Sequence, residues 1–543
     1  MIIRTLITLV LAVPAFWLTL RYNMHMFQLN TYKAGEQAAW IKKNFHLQWI
    51  LVWAMCLGIV RMLLPVSASF SSFSASKAEG GASPDLYIFG IVLDVLIWIT
   101  LAVIIAVYRL MVEMNSKKPL KFTPRVKRMI GTIVFVSILF AAFVFAKTYY
   151  SGGHYSVPAD EGAEVVLYAY DAYSLVLMAV SRLGGVFVFL VGAQLFLNMI
   201  SNLINSPVEQ NINNGYIRDA KRILAENPDL TIIGVTGSYG KTSIKFYLET
   251  LLQAKYSVLV TPESYNTPMG VVITIRKWLR PSHQIFICEM GARYVGEIKE
   301  LCDLVHPNHG IIASIGPQHL DTFGSLANIQ ATKFELADAL PEGGMLFLNG
   351  DNEYITEHLD YLKKSGAALP PACAEPVMYH AGTAGTSGSA LASKVRDSSL
   401  DSSVGDSALN FSGGYYASDI KLTAQGTTFT AHSPDGELCT YDMKLVGGHN
   451  IINVMGAIAV AHEMGIALDE LRIPVRRLKS VPHRMEMKTQ GAVTIIDDAF
   501  NSNPIGSKAA VETLAMFDGI RILITPGMVE LGEDEAEIGR AHV

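Results

Sequence analysis

The chain is poor in cysteine, and it lacks several patterns that would point to common functions. Its five cysteines are odd in number and lie far apart without any C-x-x-C pair, which argues against a zinc knuckle or a disulfide framework and favours a reducing compartment. The net charge is only −5, and no basic stretch is interleaved with aromatic residues. We therefore expect no nucleic-acid partner.

Charged residues are also scarce, at 17% of 543 residues against 50% hydrophobic residues. A chain of this length exceeds one domain, and this composition is too apolar for a wholly soluble protein. Five apolar stretches are long enough to cross a bilayer, which takes about 20 residues. They lie at Ile2–Leu20, Leu47–Pro65, Leu86–Tyr108, Met129–Ala146 and Ser174–Ile200. These stretches predict an α-helical membrane region with five transmembrane helices over residues 1–205.

The loops between these stretches differ in charge, which predicts their orientation. Basic residues of the first and third loops include Arg21, Lys33, Lys42, Lys43, Lys117, Lys118, Lys121, Arg125, Lys127 and Arg128. Residues 67–85 in the second loop contain one lysine, and residues 148–173 in the fourth contain no lysine or arginine. By the positive-inside rule the basic loops are cytoplasmic, so everything after Ile200 is expected in the cytoplasm, where ATP is available.

Two charges lie deep within the predicted spans. Asp94 in the third and Arg182 in the fifth are each about eight residues from the outer end, or ~12 Å at the helical rise. Because charges inside a membrane are costly unless they are paired or functional, we predict an ion pair between them. Transport or the binding of a lipid headgroup is the alternative.

The apolar run Ile232–Val235 is followed by T-G-S-Y-G-K-T and then by a helix-like segment. A strand, a glycine loop and a helix in this order form a phosphate cradle, in which backbone N–H groups and the helix N-terminus face anionic oxygens. The strict G-x-x-x-x-G-K-[ST] pattern would require glycine at position 235, so this loop is a shorter variant. A merely structural turn is the alternative. The predicted nucleotide contacts are Thr236, Gly237, Ser238, Gly240, Lys241 and Thr242.

Short apolar runs alternate with helix-like stretches after Thr231, which predicts a parallel sheet covered on both faces. Ligands of such sheets bind at the carboxyl ends of the strands. Glu289 ends one predicted strand, His319 follows the next, and Lys333 lies on the helix after that. Each residue also has an alternative interpretation. Glu289 could bind Mg²⁺ or be a solvated acid, His319 could be a ligand or a structural residue, and Lys333 could be functional or solvated. Taken singly, the functional interpretations are no better supported than the alternatives.

The order of these residues resembles a known family. The motifs that carry the resemblance, in addition to the glycine loop, are Y-N-T-P-M-G-V (265–271), E-M-G-A-R (289–293), H-L-D-T-F-G-S (319–325), A-T-K-F-E-L (331–336), G-G-H-N-I-I-N (447–453) and D-D-A-F-N-S-N-P (497–504). Together they closely resemble the Mur ligases, most of all the MurF type, over roughly residues 231–532. The five predicted spans are not part of this resemblance, since the soluble Mur ligases lack them.

The resemblance implies an α/β fold behind the membrane region. It places a Mur-ligase-like central P-loop domain with a parallel sheet at residues 206–485, and the start of a Rossmann-like C-terminal domain at 486–543. It also implies ATP and Mg²⁺ as cofactors. The implied metal-binding residues are Thr242, Glu289, His319 and Lys333, of which Lys333 matches a lysine that is carbamylated in several members. The implied contacts to adenine and to ATP are Asn450, Arg484, Asp498 and Asn501, the implied substrate contacts are Asn266 and Thr267, and the implied catalytic residues are Lys241, Lys333 and His319.

The implied reaction joins D-alanyl-D-alanine to UDP-N-acetylmuramoyl tripeptide at the inner face of a bacterial membrane. ATP phosphorylates the terminal carboxylate, and the amine of the dipeptide attacks the resulting acyl phosphate. Phosphoryl transfer depends on positioning and charge neutralisation, which agrees with the lack of a Ser-His or Cys-His arrangement. The alternatives are a ligase of the folylpolyglutamate or cyanophycin type, and a membrane scaffold or transporter with a nucleotide-sensing domain.

Two segments depart from the family pattern. Residues 381–414 are rich in serine, glycine and alanine without a hydrophobic period, which predicts a low-complexity insertion. The C-terminal domain is expected to be truncated and the chain therefore inactive, because only its first two strands, Val493–Asp497 and Arg521–Thr525, are recognisable. Residues 537–543 also resemble the translation of a sequencing adapter, so we expect Ile538 onward to be an assembly artefact.

Overall fold

The sequence predictions can be compared with a computed structural model of the chain. It describes residues 2–30, 32–45, 48–63, 96, 99–100, 102–105, 107–111, 120–151, 155–156, 167–168, 172–365, 370–382, 414–491, 493–499 and 504–525. Four predictions concern residues outside these ranges: the Asp94 side of the ion pair, Asn501, nearly all of the 381–414 insertion, and the segment after residue 525. The chain forms two units, Met1–Ile212 and Asn213–Val543, and each is described by itself.

The N-terminal unit consists mainly of helices. Their bounds are α1 Ile2–Leu29, α2 Ala34–Lys43, α3 Trp49–Leu63, α4 Pro124–Ser151, α5 Ala172–Gly192 and α6 Gln194–Ala225, with further helical residues between 96 and 111. Helix α6 runs past the end of this unit. Two short strands, β1 Tyr155–Ser156 and β2 Leu167–Tyr168, pair antiparallel.

Helices α3 and α5 are in close contact because glycine is present where their backbones meet. A Cβ atom at Gly58 would lie 2.4 Å from the backbone nitrogen of Phe189, and one at Gly192 would lie 2.4 Å from the carbonyl oxygen of Leu51. Contacts of this kind through small residues are typical of helix pairs in membranes.

Among the described residues, one helix is long and apolar enough to span a membrane by itself, Pro124–Tyr150. It exposes Phe135, Ile138 and Phe143, each by about 60% of its surface. The prediction of one continuous helix over Ser174–Ile200 was wrong, since the chain bends by 75° between α5 and α6. Gly192 immediately precedes the bend, and glycine is a common cause of a kink.

The C-terminal unit is built on a nine-stranded sheet. Its strands are β3 Thr231–Thr236, β4 Val258–Val260, β5 Ile285–Glu289, β6 His309–Ile312, β7 Leu346–Asn349, β8 Val377–His380, β9 Gly414–Thr423, β10 Gly426–His432 and β11 Leu438–Met443. Their order across the sheet is β11-β10-β9-β8-β7-β6-β3-β5-β4. Strands β3 to β9 are parallel to their neighbours, whereas β9, β10 and β11 pair antiparallel.

Helices cover both faces of the sheet, as the strand and helix alternation predicted. Their bounds are α7 Lys241–Leu252, α8 Pro268–Trp278, α9 Glu297–Val305, α10 Leu320–Phe323, α11 Leu326–Asp338, α12 Glu353–Lys364, α13 Pro371–Ala374, α14 Gly448–Glu463, α15 Arg472–Arg476 and α16 Pro504–Ala515. Alternate residues of β3 enter different cores: Ile233 packs with α7 and α14, and Ile232 packs with α8, α9 and α11. A last hairpin pairs β12 Glu486–Gln490 with β13 Val493–Asp497.

The chain order reverses at β3. Strands β4 and β5 lie on one side of it, and β6 and β7 lie on the other. In open α/β sheets such a reversal leaves a crevice at the carboxyl ends of the strands, where ligands bind. The glycine loop predicted from the sequence follows β3 and therefore opens at this crevice.

Candidate functional site

The glycine loop connects β3 to α7 by a tight turn that only glycine can make at two positions. Gly237 has φ 145° and Gly240 has φ 82°, which is the left-handed region that other residues rarely adopt. A Cβ atom at Gly240 would lie 2.6 Å from Oδ1 of Asn453, and one at Gly237 would lie 3.0 Å from the carbonyl oxygen of Ser314. The loop backbone is therefore held closely between α14 and the segment after β6.

Hydrogen bonds fix the loop to its two neighbouring strands. The backbone N–H of Ser238 donates to the carbonyl oxygen of Ser314 at 2.6 Å, and its hydroxyl donates to the carbonyl oxygen of Gly316 at 3.0 Å. On the other side, the Thr236 hydroxyl donates to the carbonyl oxygen of Met290 at 3.0 Å. These bonds preorganise the loop, so a bound phosphate would not have to order it.

Lys241 begins α7 and folds back over the loop. Its Nζ donates to the carbonyl oxygens of Gly237 at 2.6 Å and Ser238 at 2.9 Å. Burial lowers the pKa of Lys241 to about 8, with Glu289 opposing this effect and Arg484 adding to it. An anionic ligand would stabilise the charged form, so the site is suited to one.

Glu289 ends β5, as predicted, and is 1% exposed. Its Oε1 accepts hydrogen bonds from the Thr242 hydroxyl at 3.1 Å and from Nδ2 of Asn266 at 3.3 Å. Its Oε2 lies 2.9 Å from Nζ of Lys245, an ion pair that is not aligned as a hydrogen bond. The two carboxylate oxygens thus have different environments, and Oε1 is the one that faces the glycine loop.

Lys245 is a residue of this site that the sequence analysis missed. It is fully buried, and its Nζ also donates to the carbonyl oxygen of Glu263 at 2.5 Å. A signal was present, because Lys245 lies on the face of α7 that carries Leu248 and Leu252 three and seven residues later, and both of these are buried. A lysine on the buried face of a helix requires a partner.

Lys333 lies on α11 and is 3% exposed, with its Nζ 5.7 Å from the centre of the Phe323 ring. Burial and, secondarily, the charge of Lys241 lower the pKa of Lys333 to about 7, while Glu335 and Glu297 oppose the change. Lys333 therefore interacts electrostatically with the lysine of the glycine loop.

His319 precedes α10 with a left-handed backbone, φ 56°, and is partly exposed. Helix α10 ends at Phe323, whose ring lies near Lys333. The turn that carries His319 is therefore attached to the Lys333 side of the site.

The remaining predicted residues have mixed roles. The Asn450 amide is bonded to protein at both ends, accepting from the Tyr247 hydroxyl and donating to the carbonyl oxygen of Val446, both at 2.8 Å. Thr267 caps α8 by accepting a hydrogen bond from the backbone of Gly270 at 3.4 Å, which is a structural role.

Arg484 and Asp498 lie near each other and near the site. Burial lowers the pKa of Arg484, whereas Glu289 and Asp498 raise it. Burial raises the pKa of Asp498, and its Oδ1 accepts a hydrogen bond from the backbone N–H of Met485 at 3.1 Å. Arg484 thus adds a further positive charge, besides those of Lys241 and Lys245, to the side of the site that holds Glu289.

The residues can be tested for their fit to Mg²⁺ and to a nucleoside triphosphate. Oxygen atoms of Thr242 and Glu289 lie together, and oxygen is the ligand that Mg²⁺ prefers. The first turn of α7 has N–H groups without an intrahelical acceptor, and it follows two glycines whose positive φ shapes the loop. Lys333 carries an amine, which becomes an oxygen ligand only after carbamylation. The site therefore fits both groups.

Comparison with known proteins agrees with this geometry. Residues 235–369 match the Mur ligase middle domain. The chain is 29% identical over 313 residues to the UDP-N-acetylmuramoyl-tripeptide–D-alanyl-D-alanine ligase of Escherichia coli, covering 58% of this chain and 60% of that protein. It is also 29% identical over 307 residues to the ligase of that name from Bacillus subtilis, covering 56% and 57%.

The fold is also similar to a solved structure. The crystal structure of MurF from Acinetobacter baumannii superposes with a TM-score of 0.50 at 23% identity, covering 60% of this chain and 63% of that one. This likeness shows a Mur-ligase-like α/β fold with a mostly parallel sheet. The chain spans about three fifths of the length of the curated relatives that it matches.

Proposed function

We propose that this chain belongs to an ATP-dependent, amide-forming ligase that adds D-alanyl-D-alanine to UDP-N-acetylmuramoyl tripeptide in peptidoglycan precursor synthesis. The observation that carries the proposal is the arrangement of Lys241, Thr242 and Glu289 around the glycine loop at the reversal point of the sheet. The similarity to curated ligases of this specificity supports the same activity.

The residues of the site divide the work of phosphoryl transfer. The glycine loop and the first turn of α7 bind the ATP phosphates, and Lys241 neutralises their charge. Thr242 and Oε1 of Glu289 would hold Mg²⁺, His319 and a carbamylated Lys333 would be further ligands, and the bound ion would supply additional charge neutralisation. The tripeptide carboxylate takes the γ-phosphoryl group of ATP and ADP leaves, and the dipeptide amine then displaces inorganic phosphate from the acyl phosphate, losing a proton as the amide forms. Asn266, which donates a hydrogen bond to Glu289, would contact the nucleotide-sugar substrate.

We also propose that the N-terminal unit is a multi-pass region of a bacterial cell membrane, with the ligase unit in the cytoplasm. The exposed aromatic and aliphatic side chains of α4 support this placement, since exposed apolar surface of this extent needs a covering. The charge difference between the loops supports the orientation. Reporter fusions after residues 45, 80, 118 and 160 test both points. Cytoplasmic signals at 45 and 118 and external signals at 80 and 160 are expected, and one common side for all four would contradict the topology.

The function is tested with the full chain in lipid nanodiscs. Binding of a fluorescent ATP analogue measures the nucleotide site of this chain, and phosphate release with UDP-muramoyl tripeptide and D-alanyl-D-alanine measures ligation in the sequence completed with its C-terminal ligase domain. Lys241→Ala should lower nucleotide affinity at least tenfold, whereas the exposed Lys277→Ala should not. Unchanged affinity in Lys241→Ala would contradict the assigned site. Phosphate release with folate and glutamate in place of the muramoyl substrates would instead assign the chain to another ligase class.

A further inference from the structure

The N-terminal unit contains a buried arginine that the proposed ligase activity does not use. Arg109 is 1% exposed, and Gln48 beside it is fully buried. Nη2 of Arg109 donates to Oε1 of Gln48 at 3.2 Å, and the guanidinium lies 3.9 Å from the centre of the Tyr22 ring. These three residues come from different helical segments and define what we term the Arg109 cluster.

The unsatisfied atoms of the Arg109 cluster are all donors. Nε and Nη1 of Arg109 and Nε2 of Gln48 are buried without a hydrogen-bond acceptor in the described part of the chain. None of the described carboxylates forms an ion pair with Arg109, and the interactions that support its charge come from Tyr22 and Tyr108 alone. An unpaired buried guanidinium is costly, because both its charge and its N–H groups lose water. The missing partner is therefore an acceptor with negative charge.

The positions of these residues indicate which anion is available. Tyr22 lies two residues after the first predicted span, Gln48 is the second residue of the second span, and Arg109 follows the third. All three positions are at the predicted cytoplasmic boundary, and Trp40 lies 6.4 Å from Tyr22 by ring centres. Tyrosine and tryptophan are enriched at this depth, which is the level of the lipid headgroups.

We propose that Arg109 and Gln48 form a binding site for one phosphate-type oxyanion, supplied by the headgroup of an anionic lipid. Phosphate oxygens accept hydrogen bonds from the N–H groups of a guanidinium, and a further oxygen of the same group accepts from Nε2 of Gln48. The anion site depends only on the contacts within the N-terminal unit. Its lipid source depends on the membrane placement proposed above.

The test uses the full chain purified in neutral detergent and titrated with phosphatidylglycerol, with phosphatidylcholine, or with inorganic phosphate. Native mass spectrometry measures retained lipid, and thermal denaturation measures protection by phosphate. The wild-type chain should retain one phosphatidylglycerol in preference to phosphatidylcholine. Arg109→Gln should lower that affinity at least tenfold, and Lys127→Gln, which removes an exposed charge from the same predicted side of the membrane, should change it less than twofold.

A second variant covers the case in which Arg109→Gln does not fold. Gln48→Glu places a carboxylate beside the guanidinium, so the protein itself would supply the missing anion. It should fold with equal or higher thermal stability and lose the retained lipid. Retention in Gln48→Glu equal to the wild type would overturn the proposal, as would no preference for either anion in the wild-type chain. Protection by inorganic phosphate without retained lipid would support the anion site and overturn its lipid source, leaving the ligase activity unaffected.

Discussion

The ion pair between Lys245 and Glu289 allows a quantitative prediction. Both side chains are at most 1% exposed, and Nζ lies 2.9 Å from Oε2. At an effective dielectric constant of ~20, Coulomb's law gives about 6 kcal/mol of attraction at this separation. Part of this attraction offsets the desolvation of the two charges, so the net value of the pair is smaller. Removing only one partner exposes the full desolvation cost of the other.

Lys245→Met is the appropriate perturbation, because methionine approximately fills the lysine volume without a charge. It leaves the Glu289 carboxylate buried, with hydrogen bonds from Thr242 and Asn266 but without its adjacent cation. Breaking a buried ion pair in this way costs about 3–5 kcal/mol. We expect a loss of that size in the free energy of unfolding of the C-terminal unit.

Pulse proteolysis of the full chain in urea measures this loss, with cleavage products of the C-terminal unit as the signal. Glu289→Gln gives the second side of a double-mutant cycle, and Lys245→Met with Glu289→Gln should be less destabilised than the sum of the two. The exposed Lys277→Met is the control and should stay within about 0.5 kcal/mol of the wild type. A cost below about 1 kcal/mol for Lys245→Met, or simple additivity in the cycle, would refute the reasoning.

Three further predictions concern the same unit. Lys241→Arg should weaken the binding of a fluorescent ATP analogue by less than Lys241→Ala. Arginine keeps the positive charge but loses the hydrogen-bond geometry of the lysine Nζ at the loop. An equal loss of affinity in both variants would show that the charge by itself does not contribute to binding. Gly240→Ala should destabilise the unit by more than Gly343→Ala in urea unfolding. Both glycines have positive φ, but only the new Cβ atom at position 240 would meet a neighbour. Equal losses of stability would show that the backbone strain of ~1–2 kcal/mol is the whole effect. Lys333→Met should flatten the pH dependence of stability. The folded chain releases the Lys333 proton above about pH 7 and the unfolded chain only near pH 10.4, so the free energy of unfolding of the wild type rises across this window by up to ~1.4 kcal/mol per pH unit. An identical slope in the variant would contradict the lowered pKa.

Much of the C-terminal unit could be predicted from the sequence, because its signals are local. The predicted strand that ends at Glu289 corresponds to β5, Ile285–Glu289, and the predicted helix that carries Lys333 corresponds to α11, Leu326–Asp338. The glycine loop was equally recognisable, since its backbone conformation restricts which residues can form it. The resulting prediction of a parallel sheet is confirmed for strands β3 to β9, whereas β9 to β11 pair antiparallel.

The antiparallel end of the sheet was not predicted. Strand β11 carries a clear alternation in which Cys439, Tyr441 and Met443 are buried and the residues between them are not. This alternation indicates a strand, but it does not tell which strand lies beside it. The antiparallel strands also join the rest of the sheet through the pairing of β9 with β8, and these two strands lie on either side of the 381–414 insertion. Pairing across such a distance depends on tertiary packing, which a local pattern does not encode. The bend between α5 and α6 was not predicted for a similar reason, because a hydropathy pattern depends on the length and composition of a segment and not on the direction of the helix axis.

The two buried lysines near the glycine loop show why residue type alone could not assign the site. Lys245 and Lys333 are both at most 3% exposed, yet Lys245 is paired with a carboxylate, whereas burial and the charge of Lys241 lower the pKa of Lys333. A lowered pKa favours the neutral amine, which is the form that can react with carbon dioxide to give a carbamate. The MurF-type resemblance singled out Lys333 without a physical reason for the choice. The lowered pKa of Lys333 is a condition that a carbamate requires, whereas Lys245 pairs with Glu289 and holds that carboxylate in place.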